Sequence, residues 1–232
     1  MDRPFVVAGL ASKLRCSIDS LLSTFFSGGL TKAIILDFFE RAVITLMFAH
    51  FAFQMTIRFL FSFDIALALI IISEVVPVAL IVCRRRANTY SDRPIDWVLG
   101  FYGASLPLLI EQGAVNAATL QVAGEFIMTI GMLTQISAKV ALGRSFGVVA
   151  ANRGVKVTGL YRFVRHPMYA GYTITQIGFL VASPSWHNTI IYSTVLAIQF
   201  ARILREERLL NQDPSYRDYA SRVQYRLVPK IF

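Results

Sequence analysis

The chain has 232 residues, 55% of them hydrophobic and only 16% charged, with a mean hydropathy of +0.56. That balance is too apolar for an ordinary soluble domain and sets the expectation of a one-domain integral membrane protein. The formal net charge of +9 is then expected to serve topology and contact with anionic lipid headgroups, not nucleic acid.

Residues 1–32 place Val7, Leu10, Leu14, Ile18, Leu21, Leu22 and Phe25 at helical spacing, interrupted by Lys13, Arg15 and Asp19. The pattern predicts an amphipathic helix on the membrane interface, closed by Gly28-Gly29, and not a signal peptide. It is also where contact with a second copy, a homodimer, would be made. Six segments then approach the roughly 20 residues needed to cross a bilayer: 42–61, 65–83, 95–110, 117–142, 167–183 and 187–204. The third and fifth are short, so five spans is the alternative. The expected class is an all-α integral membrane protein with about six transmembrane helices. Its parts are the N-terminal interfacial helix (1–32), transmembrane helices one to four (33–140), and a region 141–232 holding a cytoplasmic loop, the last transmembrane hairpin and a C-terminal helix.

Of the 23 lysines and arginines, all but Arg58 lie in the N-terminal region, the loop after span two, the stretch between spans four and five, or the tail. With six spans these four regions share one side. The positive-inside rule makes that side the cytoplasm, with both termini on it; a bacterial inner membrane is the expected setting. Within the spans, Glu74, Gln121, Glu125 and Gln135 are polar groups at a costly depth, for which a structural role is the leading expectation. Cys16 and Cys83 form no C-x-x-C, and His50, His166 and His187 have no metal-ligand spacing, so neither a disulfide framework nor a metal site is expected.

Polar residues concentrate near the C-terminus. The stretch GRSFGVVAANRGVKVTGLYRFVRHPMYAG (143–171) is broken by Gly143, Gly147, Gly154 and Gly159 into a loop. Pro167 opens the fifth span, with His166 at its N-cap, and Arg162 and Arg165 beside a helix start that attracts an anion. Span six leaves the membrane as RILREE, with Arg202 and Glu206 on one face. Tyr216, Tyr219, Val223 and Arg226 continue as a short amphipathic helix stopped by Pro229. The turn Ser183-Pro184-Ser185 should fold 161–169 against 202–207. Such groups suit a charged small molecule or a lipid headgroup at the cytosolic boundary; snorkelling interface residues are the rival reading.

The run GLYRFVRHPMYAG, followed by R-x-x-R-E-E-x-x-L and Y-x-x-Y-x-x-x-V, resembles the isoprenylcysteine carboxyl methyltransferase family and the related membrane phospholipid methyltransferases, over about residues 141–229. LGRSFGVVAANRG looks like the bacterial branch. The resemblance implies S-adenosyl-L-methionine as methyl donor and a lipid or prenyl-like substrate, a carboxylate among the candidates. It implies that Tyr161, His166, Pro167, Met168, Tyr169 and Glu206 contact the cofactor, with Arg165 and Glu207 beside them. Arg153, Gly154, Val155 and Lys156 are expected to line the same pocket. Arg202 is implied near the substrate carboxylate, and Arg202 and Glu206 as the catalytic pair. Where eukaryotic members have a glutamine, this chain has Ala150-Ala151, so that contact is absent or made by backbone. The alternatives are a membrane sterol-type reductase using a nicotinamide cofactor and a non-enzymatic lipid-binding or transport protein.

Overall fold

The computed structural model describes residues 28–62, 65–85, 87, 89–91, 93–111, 118–229 and 231. It is 79% helical. The chain divides into two compact units, Met1–Ala42 and Val43–Phe232. The first is described only from Gly28 onward, where the opening turns of α1 (Gly28–Ser62) carry an i, i+4 ion pair of Asp37 and Arg41 at 2.8 Å. The expected interfacial helix falls mainly on residues outside those described. Gly28 and Gly29, expected to end it, stand instead in the first turn of α1.

The second unit continues with α2 (Ile65–Cys83), α3 (Pro94–Ser105), α4 (Ala118–Leu142), α5 (Pro167–Ala182), α6 (Trp186–Leu210) and α7 (Pro214–Arg222). The segments Asp37–Phe61 and Ala118–Ser145 are long and apolar enough to cross a membrane, and Ala68–Cys83 is a shorter apolar helix. The third expected span is broken. Helix α3 gives way at Leu106 to a 3₁₀ turn, Leu106–Leu109, because Pro107 lacks the N–H that would continue the α-helix.

Helices α4 and α5 pack antiparallel at unusually short range, and the glycines explain why. A Cβ at Gly171 would lie 2.5 Å from the Gln135 backbone N; one at Gly131 would lie 2.4 Å from Thr175 N. A Cβ at Gly124 would lie 2.6 Å from the Gly178 carbonyl oxygen. Gly124 and Gly131 are seven residues apart, as are Gly171 and Gly178, so both helices present glycine every second turn to the same seam. Close backbone approach through small residues is how helices associate where no water drives them together.

The loops add a two-stranded antiparallel ribbon, β1 (Thr89–Tyr90) with β2 (Ala151–Asn152), in the register Thr89↔Asn152 and Tyr90↔Ala151. The Arg85 N–H also donates to the Arg144 carbonyl at 2.8 Å. These contacts fasten the segment after α2 to the glycine-broken loop. Asp96, at the start of α3, accepts from Ser91 Oγ and pairs with Arg205 at 2.8 Å, tying that segment to α6.

Candidate active site

The loop between α4 and α5 takes its shape from its glycines. Gly143, Gly154 and Gly159 have positive φ (51°, 96° and 60°), a backbone region that L side chains adopt at a cost. Gly147 is needed for another reason: a Cβ there would sit 2.2 Å from Arg153 Nη1, so the buried guanidinium occupies the space a side chain would fill. The Gly154 N–H donates to Asn152 Oδ1 at 3.0 Å, and Asn152 Nδ2 donates to Asp213 Oδ2 at 2.8 Å. Asp213 in turn caps α7, accepting from the Ser215 N–H at 2.9 Å. Hydrogen bonds from Ser215, and then from Asn152, hold the Asp213 carboxyl below the usual carboxylate range. The loop and the C-terminal helix are thus one hydrogen-bonded assembly.

His166 is the N-cap of α5 and Pro167 its first residue, as the sequence predicts. The anion at this helix start comes from the protein itself. Glu207 Oε2 accepts from Arg165 Nη1 at 2.6 Å; its Oε1 lies 2.9 Å from His166 Nε2 and accepts from Tyr216 Oη at 2.8 Å. Although burial raises the Glu207 pKa, hydrogen bonds from His166 and Tyr216 and the Arg165 charge outweigh it and leave the carboxyl below its ordinary value. The tail closes the arrangement. The N–H groups of Arg165 and His166 donate to the carbonyls of Tyr225 and Arg226 at 2.9 and 2.8 Å. Helix α7 stops at Arg222; Val223 is extended and Arg226 lies in a bend, so neither continues the predicted helix.

These elements surround a cleft with a cavity volume of about 110 Å³. Arg153, Gly154, Val155, Lys156 and Tyr161 line it from the loop; Arg165, His166, Met168 and Tyr169 line it from the start of α5; Glu206 lines it from α6. Pro167 and Glu207 do not reach the cleft. Both are buried behind its wall, Pro167 in the first turn of α5 and Glu207 in the carboxylate hub. Ala150 and Ala151 are on the wall, at the position where the resemblance expects a glutamine. Tyr216 and Tyr219 also line the cleft, with ring centroids 5.7 Å apart in an edge-on pair, and the Tyr219 hydroxyl donates to the Tyr161 carbonyl at 2.7 Å. Burial pushes the Tyr219 phenol up to about 12 and the Tyr161 phenol well above its usual range, so both stay neutral hydrogen-bonding groups at physiological pH.

Glu206 and Arg202 stand one helical turn apart on α6 and are linked through Tyr169. The Tyr169 hydroxyl donates to Glu206 Oε1 at 2.5 Å, and the Arg202 guanidinium lies 5.3 Å from the Tyr169 ring centroid. Arg202 Nη2 donates to the Val148 carbonyl at 2.8 Å. Arg202 does not line the cleft. It lines a second, larger cavity of about 220 Å³, which shares Gly147 and Met168 with the first. The two chambers adjoin at Gly147 and Met168, and the Tyr169–Arg202 contact joins the Glu206 carboxylate on the cleft side to a cation on the other. Gly103 of α3 leaves room for that cation, since a Cβ there would lie 3.0 Å from Arg202 Nη1.

On this second cavity, sequence reasoning singled out Glu74 and Gln135 but missed Lys139, Gln176 and Gln199. Lys139, completely enclosed, donates from Nζ to the Ser73 carbonyl at 2.9 Å and lies 5.2 Å from the Tyr172 ring centroid. Glu74 lines the same cavity and accepts from Ser73 Oγ at 3.3 Å. Glu125 faces outward and accepts from Gln121 at 3.0 Å. Lys139 was readable only as a loop-side charge closing span four.

Residues 114–215 match the family model described as Phospholipid methyltransferase. A protein-S-isoprenylcysteine O-methyltransferase from Schizosaccharomyces pombe is 32% identical over 104 residues, 41% of this chain and 44% of that protein. Protein-S-isoprenylcysteine O-methyltransferase A from Arabidopsis thaliana is 32% identical over 108 residues, 43% of this chain and 55% of that protein. The chain therefore spans about half the length of the curated relatives it matches. A solved structure titled as the eukaryotic intramembrane Ras methyltransferase, isoprenylcysteine carboxyl methyltransferase, aligns over 99% of this chain and 88% of that one, at 15% identity and a TM-score of 0.46. Less than half of the chain, residues 114–215, is thus similar to the phospholipid methyltransferase family, and part of it to isoprenylcysteine O-methyltransferases.

Proposed function

We propose that the protein is an S-adenosyl-L-methionine-dependent membrane methyltransferase that methylates a carboxylate on a lipid or prenyl-type substrate. The observation that carries this reading is the pair of adjoining chambers bridged by Tyr169, with Glu206 on the cleft and Arg202 on the neighbouring cavity. The cleft suits the methyl donor by the chemistry of its walls. Glu206 offers a carboxylate to an ammonium or sulfonium, Arg153 and Lys156 offer cations to a carboxylate, and Tyr161, Tyr216 and Tyr219 offer aromatic faces to a purine. When bound there, the donor supplies an electrophilic methyl group on a sulfonium.

The chain's own contribution is positioning. Arg202, fixed by the Val148 carbonyl and stacked near Tyr169, holds the substrate carboxylate at the junction. That carboxylate is already ionised at neutral pH and needs no general base. Tyr169 fixes the Glu206 carboxylate in place, and the capped loop with α7 shields the cleft from water. The apolar lining of the second cavity receives the substrate's tail. Large apolar side chains pointing outward, among them Leu46, Phe53, Phe61, Phe126 and Ile190, support a membrane setting. Several membrane passes, with both termini and the cleft on the cytoplasmic side of a bacterial inner membrane, follow from the distribution of basic residues.

The phospholipid methyltransferase match raises a second reading, methylation of a lipid amine. The test is to supply methyl-labelled donor to the purified protein in lipid nanodiscs with prenylcysteine, long-chain fatty acid or phosphatidylethanolamine as acceptor. Label released as volatile methanol by mild base marks an ester and supports the carboxylate reading. Label that base does not release marks the amine. No transfer to any acceptor overturns the proposal.

A further inference from the structure

The second cavity is not a plain hydrocarbon slot. Most of its lining is apolar, from Phe48 and Phe51 of α1 to Phe179 of α5, yet three buried glutamines open into it. Gln135 of α4 is 5% exposed, Gln176 of α5 8% and Gln199 of α6 4%. Gln199 accepts through its Oε1 from Thr173 Oγ1 at 3.4 Å, and no other described residue bonds its amide NH₂. Gln135 and Gln176 have no side-chain hydrogen bond to any described residue, although Gln135 is pinned in place where its backbone abuts Gly171. An amide that faces a largely apolar cavity takes its partner from within that cavity. Three of them, on three different helices around one cavity, mark a place where a ligand supplies the partner.

We infer that the substrate carries a neutral hydrogen-bonding group, a hydroxyl or carbonyl, within its apolar part, and that Gln135, Gln176 and Gln199 recognise it. This rests on the carboxylate reading above and narrows the substrate class. A saturated or purely prenyl tail offers these amides no partner, whereas an oxygenated acyl or isoprenoid chain pairs with them. The polar group sits near the carboxylate end of the chain. Gln199 precedes Arg202 by three residues on α6, about 4.5 Å along the helix axis. The charged groups near this band, Lys139 and Glu74, are engaged with Ser73. The amides are neutral readers beside the hydroxyls of Tyr172, Thr175 and Tyr192 on the same wall.

The test compares binding of octadecanoic acid with octadecanoic acids bearing one hydroxyl at carbon 3, 6, 9 or 12, measured by calorimetry on the full-length protein in nanodiscs. The expected result is that at least one hydroxylated acid binds about tenfold tighter or more than the unsubstituted acid, since sites built to bond a hydroxyl reject the analogue lacking it. The Gln135→Met/Gln176→Met double variant should lose that preference. Affinity for S-adenosylhomocysteine, measured in the same samples, serves as the folding control. Equal affinities across the series in the wild-type protein, or no binding of any acid, overturn the inference and identify the cavity as water-filled. A preference that survives the double substitution overturns the assignment to the glutamines. Failure of the wild-type protein to bind S-adenosylhomocysteine would count against the methyltransferase reading and not against this inference.

Discussion

The Tyr169 hydroxyl donates to Glu206 at 2.5 Å while its ring lies beneath the Arg202 guanidinium, so one side chain holds both members of the proposed catalytic pair. Tyr169→Phe keeps the ring and removes only the hydroxyl. It should leave Tm within about 2 °C and lower kcat/KM by roughly 10- to 100-fold, through a loosened Glu206. Steady-state kinetics beside a thermal melt check this.

Arg202 faces the second cavity and not the cleft. Arg202→Lys therefore should raise KM for a carboxylate acceptor by about tenfold or more, since a point charge replaces a planar fork. Affinity for S-adenosylhomocysteine should stay within about twofold. Parallel calorimetry and kinetics on one preparation separate the two effects.

Glu207 joins Arg165, His166 and Tyr216, and so holds loop, helix start and tail together without reaching the cleft. Glu207→Gln should cost about 3 kcal/mol, since it leaves buried cationic partners uncompensated. The pH dependence has a definite sign. A carboxyl with a depressed folded pKa contributes stability above its ordinary value of 4.5, and that contribution is lost as pH falls through the lower folded value. The Tm gap between wild type and Glu207→Gln should thus shrink as pH falls below about 4.5. Asp213, also depressed, is common to both proteins and cancels in the difference. Thermal melts across that range measure it.

The α4–α5 seam is a prediction about packing. Gly171→Ala places a methyl 2.5 Å from the Gln135 backbone N and should destabilise the protein by about 3 kcal/mol or more. Gly143→Ala meets nothing within 4 Å and carries only the strain of φ +51°, about 1 kcal/mol. The ordering of the two melting temperatures is the check.

Much of this was legible in the sequence, and the reasons differ by residue. Apolar runs located α2, α4 and α5 to within one residue at each end, because helix length and hydropathy are local properties, but α1 begins at Gly28, well before the predicted span, and the third span breaks at Leu106. His166-Pro167 announced the start of α5, because proline fixes its own backbone and its neighbour's. The hairpin that sets Tyr169 against Glu206 followed from the short Ser183-Pro184-Ser185 turn. What was hidden is long-range. Glu207 sits beside Glu206, and only the direction of its side chain separates a cleft residue from a buried hub. The β1–β2 ribbon pairs two residues with two, too little pattern to read. The paired glycines seven apart in α4 and in α5 were visible as spacing, but their meaning emerges only when the helices face each other. The three glutamines of the second cavity come from helices distant in sequence and share no motif.

The central claim is that the cleft formed by the capped loop, the start of α5 and Glu206 binds the methyl donor. Titrating S-adenosylhomocysteine into the purified wild-type protein and into Glu206→Ala by calorimetry tests it most directly. The account predicts saturable binding at one site per chain, weakened at least about tenfold by the substitution. Absence of binding to the wild-type protein, or equal binding to both, would contradict it.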